Sequence, residues 1–145
     1  MAKIRLLANI VTLEVISLIF FWYTEVRGED WKYYGENNYH VGYYDAESII
    51  RTSEGIVIVR EKDIFTEKGV MEAVGKLGEK YKALSYAILL DEVHCVDGRI
   101  RPLSSAFYSK GGKVLSSFDS QATDWGYILP ETRGETLYEI ICKPP

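Results

Sequence analysis

Alternating hydrophobic and polar positions predict that most of the chain forms short β-strands joined by tight turns. Residues 31–36 and 39–44 are two aromatic-rich runs separated by Asn37-Asn38, and asparagine tolerates the backbone of a tight hairpin. The extended pattern continues over residues 48–52. The β-branched run at residues 56–59 is apolar on both faces, so we expect a central strand that is covered on both sides.

A helical period appears between residues 67 and 84. Apolar side chains recur there every three or four positions, which places them on one face of an amphipathic helix. These residues are Val70, Val74, Leu77, Tyr81 and Leu84. Glycines within the segment each weaken a helix by roughly 1 kcal/mol relative to alanine. We therefore expect packing on the sheet to stabilise this helix.

The second half of the chain predicts a three-stranded meander. Residues 85–96 and 99–108 flank Asp97-Gly98, and such a link between extended runs is a strong hairpin signal. Pro102 cannot donate a ladder hydrogen bond, so its strand should lie at an edge or contain a bulge there. Gly111-Gly112 then forms the turn into the third strand.

The last predicted element is a short C-terminal helix. Thr132 and Glu135 match a capping box, in which a hydroxyl and a carboxylate satisfy backbone N–H groups at the helix start. The inward side of this helix carries Leu137, Tyr138, Ile141 and Cys142. The elements together predict an α+β fold: an antiparallel β-sheet of about six strands, built from hairpins and a meander, with one amphipathic helix and a short C-terminal helix packed on it.

Residues 1–28 have the form of a signal peptide. Lys3 and Arg5 precede the mostly apolar residues 6–23, and cleavage is expected after Gly28. An uncleaved N-terminal anchor is the alternative, because about 20 apolar residues can span a bilayer.

Residues 29–145 are then expected to form one exported domain, located in the periplasm, at the cell surface or outside the cell. The two cysteines of the chain are Cys95 and Cys142. Neither directly follows the apolar run, so we do not expect a lipoprotein. An even cysteine count in an exported chain favours a disulfide. The alternative, a redox pair, lacks the C-x-x-C spacing.

Charge argues against some classes of partner. The chain carries 17 basic and 21 acidic residues, and removing residues 1–28 leaves 14 and 19, a net charge of −5. A mildly acidic domain without a Lys/Arg cluster has no basic surface that would attract nucleic acid or anionic lipid. We therefore expect a protein partner, envelope or extracellular, whose identity is unknown, and membrane contact only through an uncleaved N-terminal segment.

Few residues are suited to catalysis or metal binding. His40 and His94 lie in predicted strands, and no spacing brings a nucleophile to either of them. His94 and Cys95 are adjacent in a strand, so their side chains diverge and do not form a zinc pair. Residues 44–48 place two carboxylates near a hydroxyl, which we interpret as turn chemistry, since calcium needs about six to eight oxygen ligands. No catalytic residue, metal or cofactor is expected, and a hydrolase with dispersed residues is the remaining enzymatic alternative.

Tyrosine is abundant, with 11 in the chain. Tyr33, Tyr39, Tyr43 and Tyr44 could pack within the sheet or form an aromatic contact surface. Alternation puts Tyr39 and Tyr43 on one face and Tyr44 on the other, and we favour packing for most of them.

The chain after residue 28 resembles the surface-adhesin protein E family of exported bacterial proteins. The residues that carry the resemblance, in chain order, are Trp31, Tyr34, Tyr44-Asp45, Ser48-Ile49, Cys95, Arg99, Arg101, Tyr108, Gly112, Leu115, Trp125, Ile128, Pro130, Glu135, Leu137, Tyr138 and Cys142. The resemblance implies an antiparallel sheet with helix packing. It also implies an adhesin-like function, since the best-known member binds host matrix and serum proteins.

Two functional hypotheses follow. The first is a non-catalytic extracytoplasmic binding or interaction module, because the chain combines an export signal with a predicted disulfide and lacks a recognisable catalytic set. The second is a structural component of an envelope or surface assembly, anchored by an uncleaved N-terminal helix.

Overall fold

The computed structural model describes residues 28–120 and 124–143. Within them, a single antiparallel sheet of eight strands is flanked by two α-helices. The strands are β1 (Trp31–Glu36), β2 (His40–Asp45), β3 (Ile50–Arg51), β4 (Ile56–Phe65), β5 (Leu84–His94), β6 (Arg99–Ser109), β7 (Val114–Asp119) and β8 (Gly126–Tyr127). The helices are α1 (Glu67–Leu77) and α2 (Arg133–Cys142), and short 3₁₀ turns occur at Ala46–Ser48 and Glu79–Ala83. The strand order is β1-β2-β4-β5-β6-β7, with β3 beside β4 and β8 beside β6.

The hydrophobic core lies on one face of the sheet, which we call the covered face. Val57 and Val59 of β4 and Val93 of β5 point to this face and pack against Leu137 and Ile141 of α2. All five side chains are buried. The stripe predicted for the C-terminal helix therefore faces the core.

Helix α1 packs on the same face at the other end of the strands. Gly69 of α1 approaches the backbone carbonyl of Tyr39 and the Phe65 ring so closely that a Cβ at Gly69 would lie 2.0 Å from the carbonyl oxygen. The Tyr81 ring, which is 1% exposed, meets Phe107 edge to face with centroids 5.9 Å apart. The opposite face, called the open face here, is not covered by either helix in the described part of the chain.

The prediction that residues 56–59 are covered on both sides is therefore wrong. Strand β4 is central, as predicted, but only Val57 and Val59 are buried, while Ile56 and Ile58 on the open face are half-buried. β-Branched residues occupy both faces because they also suit the exposed pleated surface of a strand.

The first predicted helix is shorter than its apolar period indicated. Helix α1 ends at Leu77, because Gly78 adopts a φ of 102°, a conformation that favours glycine. Its backbone N–H still donates to the Val74 carbonyl. Tyr81 belongs to the following 3₁₀ turn, and Leu84 begins β5.

The other predicted elements have close counterparts. The hairpin of β1 and β2, the strands β5, β6 and β7, and the helix cap at Thr132 are confirmed. The β5–β6 connection contains four residues, Cys95 to Gly98, instead of Asp97-Gly98 alone. The register between these strands shifts opposite Pro102, so the predicted bulge is present. The extended pattern at 48–52 reduces to the two-residue strand β3, which follows a 3₁₀ turn.

Residues 1–27, which contain nearly all of the predicted signal segment, lie outside the described residues. Among the residues that the structure does describe, no helix is both long enough and apolar enough to cross a membrane.

Candidate binding surface

Tyrosine rings form a row across the open face. Tyr33 of β1 lies opposite Tyr43 of β2, with ring centroids 6.0 Å apart, and Tyr43 lies opposite Lys62 of β4. Tyr86 of β5 stacks on Tyr108 of β6 with centroids 4.8 Å apart and an interplanar angle of 8°. We call these five side chains the aromatic belt. It crosses five neighbouring strands.

Lys62 joins the two halves of the aromatic belt. Its ammonium nitrogen lies 4.9 Å from the centroid of the Tyr86 ring and 5.4 Å from that of Trp31. No carboxylate of the described residues forms an ion pair with it, whereas neighbouring Arg60 pairs with Asp45 at 2.6 Å. Lys62 is thus held by aromatic faces, and its charge remains available to an incoming group.

Charged side chains border the open face near the β5–β6 connection. Arg101 Nε donates to Glu92 at 2.5 Å, and the Arg101 guanidinium lies 4.6 Å from the centroid of Trp125. The ring of His94 meets Trp125 edge to face at 5.6 Å. This border is polar and nearly neutral because its charges are paired.

A shallow groove of about 300 Å³ separates the aromatic belt from this border. Its floor consists mainly of apolar and small side chains of β5 and β6, among them Ile88, Leu90, Ser104 and Ala106. An apolar centre with tyrosines and a polar rim is the usual composition of a protein–protein interface. The chemistry of the open face therefore suits the binding of a partner.

The covered face contains a second group of polar residues, but it is internal. The Tyr34 hydroxyl donates to Glu61, and Arg133 at the start of α2 donates to the Tyr34 hydroxyl and to Asp63, each at 2.5 Å. Gly42 leaves room for this guanidinium, since a Cβ there would lie 2.2 Å from Arg133 Nη2. The network fastens the first residue of α2 to the sheet.

Burial alters the ionisation of these groups. The pKa of Glu61 is raised well above its ordinary value, first by burial and then by the negative charge of Asp91. Burial likewise raises the pKa of Asp91 and that of the Tyr34 hydroxyl. Glu61 and Asp91 are 6% and 8% exposed, so an outside molecule has little access to either carboxyl. We assign the network a structural role.

The predicted disulfide and the two histidines, for which no catalytic or metal role was expected, lie in different environments. Cys95 and Cys142 form a disulfide with Cα atoms 5.3 Å apart, which ties the end of α2 to the β5–β6 turn. His94 contacts Trp125 on the open face. His40 lies on the covered face 3.5 Å from Asp63, and burial lowers its pKa.

The segment at residues 44–48 forms a turn, as predicted. Asp45 Oδ1 accepts hydrogen bonds from the backbone N–H groups of Asp30 and Glu47, and the Ser48 hydroxyl donates to the Asp45 carbonyl. Burial alone would raise the pKa of Asp45, but these backbone bonds and Arg60 lower it. Among the described residues, no group of three or more potential ligands is arranged to hold a metal ion.

The four tyrosines for which packing or an exposed contact surface was expected lie in different environments. Tyr33 is 56% exposed and belongs to the aromatic belt with Tyr43, whereas Tyr44 packs on Tyr34 at the covered face. Tyr39 was expected to share a face with Tyr43, but it precedes β2 and lies beside α1, where Lys68 covers its ring at 5.2 Å. Strand alternation does not extend to a residue outside the strand.

Sequence reasoning missed the other members of the aromatic belt. Lys62, Tyr86 and Tyr108 lie far apart in the sequence, and only the strand register brings them together. A partial signal was available, because Tyr86 and Tyr108 lie on opposite arms of the predicted Asp97-Gly98 hairpin.

Comparison with known proteins gives a family match and a distant structural likeness. The model of the family described as surface-adhesin protein E matches residues 31–143. Two solved structures of Haemophilus influenzae protein E, one of them its crystal form II, are similar to this chain. Each is 14% identical to it, with a TM-score of 0.47, and the alignments cover 75% of this chain and 91% or 87% of theirs. No curated protein sequence matches the chain.

Proposed function

The chain belongs to the surface-adhesin protein E family, and from this we propose that it is an exported, non-catalytic module that binds an extracellular or envelope protein through the aromatic belt of its open face. The family assignment supports the adhesin-like class of function. The aromatic belt supports the proposed location, because it combines exposed Tyr33 and three half-buried tyrosines with a cation that has no carboxylate partner in the described chain.

The contacts of Lys62 are the main support for the proposed location of the interface. A lysine held between Trp31 and Tyr86 has lost much of its side-chain freedom before any partner arrives. A partner carboxylate placed over it would therefore gain a charge-assisted hydrogen bond without the full entropic cost of ordering the lysine. Tyrosines on either side supply apolar contact area and hydroxyl groups.

The disulfide supports an oxidising compartment. Disulfides persist in secreted and periplasmic proteins and are rare in the cytosol. We propose that residues 1–28 are removed on export, that residues 29–145 form the mature domain, and that this domain carries no lipid. Intact mass of the protein isolated from its native cells tests all three points. Retention of residues 1–28 would instead support the anchored structural component.

Charge reversal in the aromatic belt tests the proposed interface. Binding of the mature protein to immobilised matrix and serum proteins, the partner class that the family resemblance implies, is measured by surface plasmon resonance. The Lys62→Glu variant should bind at least tenfold more weakly than the wild type, because the new carboxylate repels the partner's acidic group.

Lys68→Glu is the matched control for this experiment. Lys68 also lies over a tyrosine ring, that of Tyr39, but on α1 at the covered side of the sheet. Its reversal makes the same change in net charge away from the aromatic belt, so binding should be unchanged. Equal losses of binding in the two variants would show that the effect comes from net charge alone. Unchanged binding by Lys62→Glu would show that the aromatic belt is not part of the interface.

A further inference from the structure

The two edges of the sheet are protected to different degrees. Along β1, a bulge between Tyr33 and Gly35 interrupts the ladder, Lys32 and Glu36 are exposed, and α2 packs alongside. Bulges and charges are the usual means of preventing another strand from pairing with an edge. Strand β7, at the opposite edge, carries a single charged side chain, that of Asp119. It has an irregularity of its own between Val114 and Ser116, but its pairing with β6 is regular from Ser116 to Asp119.

Some backbone groups of β7 face away from β6, towards a side where no other strand of the described residues lies. The Ser120 N–H donates to the Leu103 carbonyl at 2.8 Å, so the backbone at this position faces β6. Hydrogen bonding alternates along an antiparallel pair. The N–H and C=O groups of Ser117 and Asp119 therefore point away from β6, to a side where no described strand lies.

Side chains on both sides of β7 would contact an added strand. Phe118 is 53% exposed and lies beside Phe107 on the covered side, with centroids 6.2 Å apart. Ser117 and Asp119 line the groove of the open face. The Asp119 carboxylate has no ion pair within the described chain, so a basic side chain of an added strand could reach an unpaired negative charge.

We propose that the β7 edge binds an extended, basic segment of a partner protein as an additional strand of the sheet. Main-chain hydrogen bonds to Ser117 and Asp119 would supply affinity, and alternate side chains would meet Phe118 on one side and the Asp119 carboxylate on the other. The net charge of −5 for residues 29–145 favours a basic segment over an acidic one. This site uses backbone groups at the sheet edge, so its test is independent of the test of the interface at Lys62.

Two synthetic peptides test the proposal. The probes are the N-acetylated, C-amidated heptapeptide of alternating lysine and valine and its counterpart with glutamate in place of lysine. Amide hydrogen exchange and chemical shifts of the mature protein are followed by NMR during titration. The lysine peptide should slow amide exchange at Ser117 and Asp119, and the glutamate peptide should not.

A proline substitution blocks the edge without removing a bond to β6. The Ser117 N–H points outward, so Ser117→Pro should keep the ladder with β6 and prevent strand addition. It should lower affinity for the lysine peptide roughly tenfold or more. Ser117→Thr, which keeps the N–H, is the matched control and should bind as the wild type does. Asp119→Asn should reduce the preference for lysine over glutamate.

Three results would overturn the proposal. The first is equal binding by Ser117→Pro and Ser117→Thr when both have wild-type melting temperatures. The second is amide protection by the lysine peptide confined to another surface, a measurement on the wild type that does not depend on how the proline variant folds. The third is concentration-dependent dimerisation that Ser117→Pro abolishes, without peptide binding, because it would assign the edge to a second copy of the chain.

Discussion

Removing the disulfide measures how strongly the C-terminal helix depends on its covalent tether. In a Cys95→Ala/Cys142→Ala variant, the unfolded chain regains the freedom of a loop whose ends are 47 residues apart. The chain-entropy relation converts this freedom into a loss of about 4 kcal/mol in the free energy of unfolding. For a domain of this length, such a loss corresponds to a fall of roughly 15 °C in Tm.

Urea unfolding followed by circular dichroism gives the free energy directly, and calorimetry gives Tm. Wild-type protein treated with a phosphine reductant is the matched control, and its stability should approach that of the double variant. The double variant should not respond to the reductant. A loss below about 1 kcal/mol would refute the reasoning, because packing of Leu137 and Ile141 would then suffice to hold α2.

Three further predictions concern the covered face. Glu61→Gln should be more stable than the wild type, with a difference that grows as pH rises above 4.5. Above that pH the Glu61 carboxyl ionises in the unfolded chain but stays protonated in the folded protein, where its pKa is raised, so the wild type loses unfolding free energy. Equal pH slopes in urea titrations of both proteins would contradict this. Ile141→Ala should cost about 3 kcal/mol in unfolding free energy, because the side chain is fully buried against the sheet; a melting curve unchanged from the wild type would contradict it. Gly69→Ala should lower Tm, because its Cβ would meet the Tyr39 carbonyl. Gly75→Ala, in open space on the same helix, should raise Tm slightly. The opposite order would show that α1 does not pack as described.

The fold was largely predictable because its signals are local. Strand alternation, the Asn37-Asn38 turn and the capping box at Thr132 each depend on a few neighbouring residues. The polar network was not predictable, because a glutamate is usually exposed, whereas Glu61 shares the covered face with Val57 and Val59 and is buried beneath a bond from Tyr34. The aromatic belt was not predictable for a different reason, because it depends on the register of strands that are distant in sequence.

Helix α2 is fastened at both ends, by Arg133 at its first residue and by Cys142 at its last. A pulling force applied at Lys143 would pass through the disulfide into the turn at Cys95, and from there into β5 in the middle of the sheet. The ten residues of α2 would carry almost none of that load. Mechanical rupture would then have to break the pairing of β5 with its neighbours, instead of peeling a terminal helix away turn by turn.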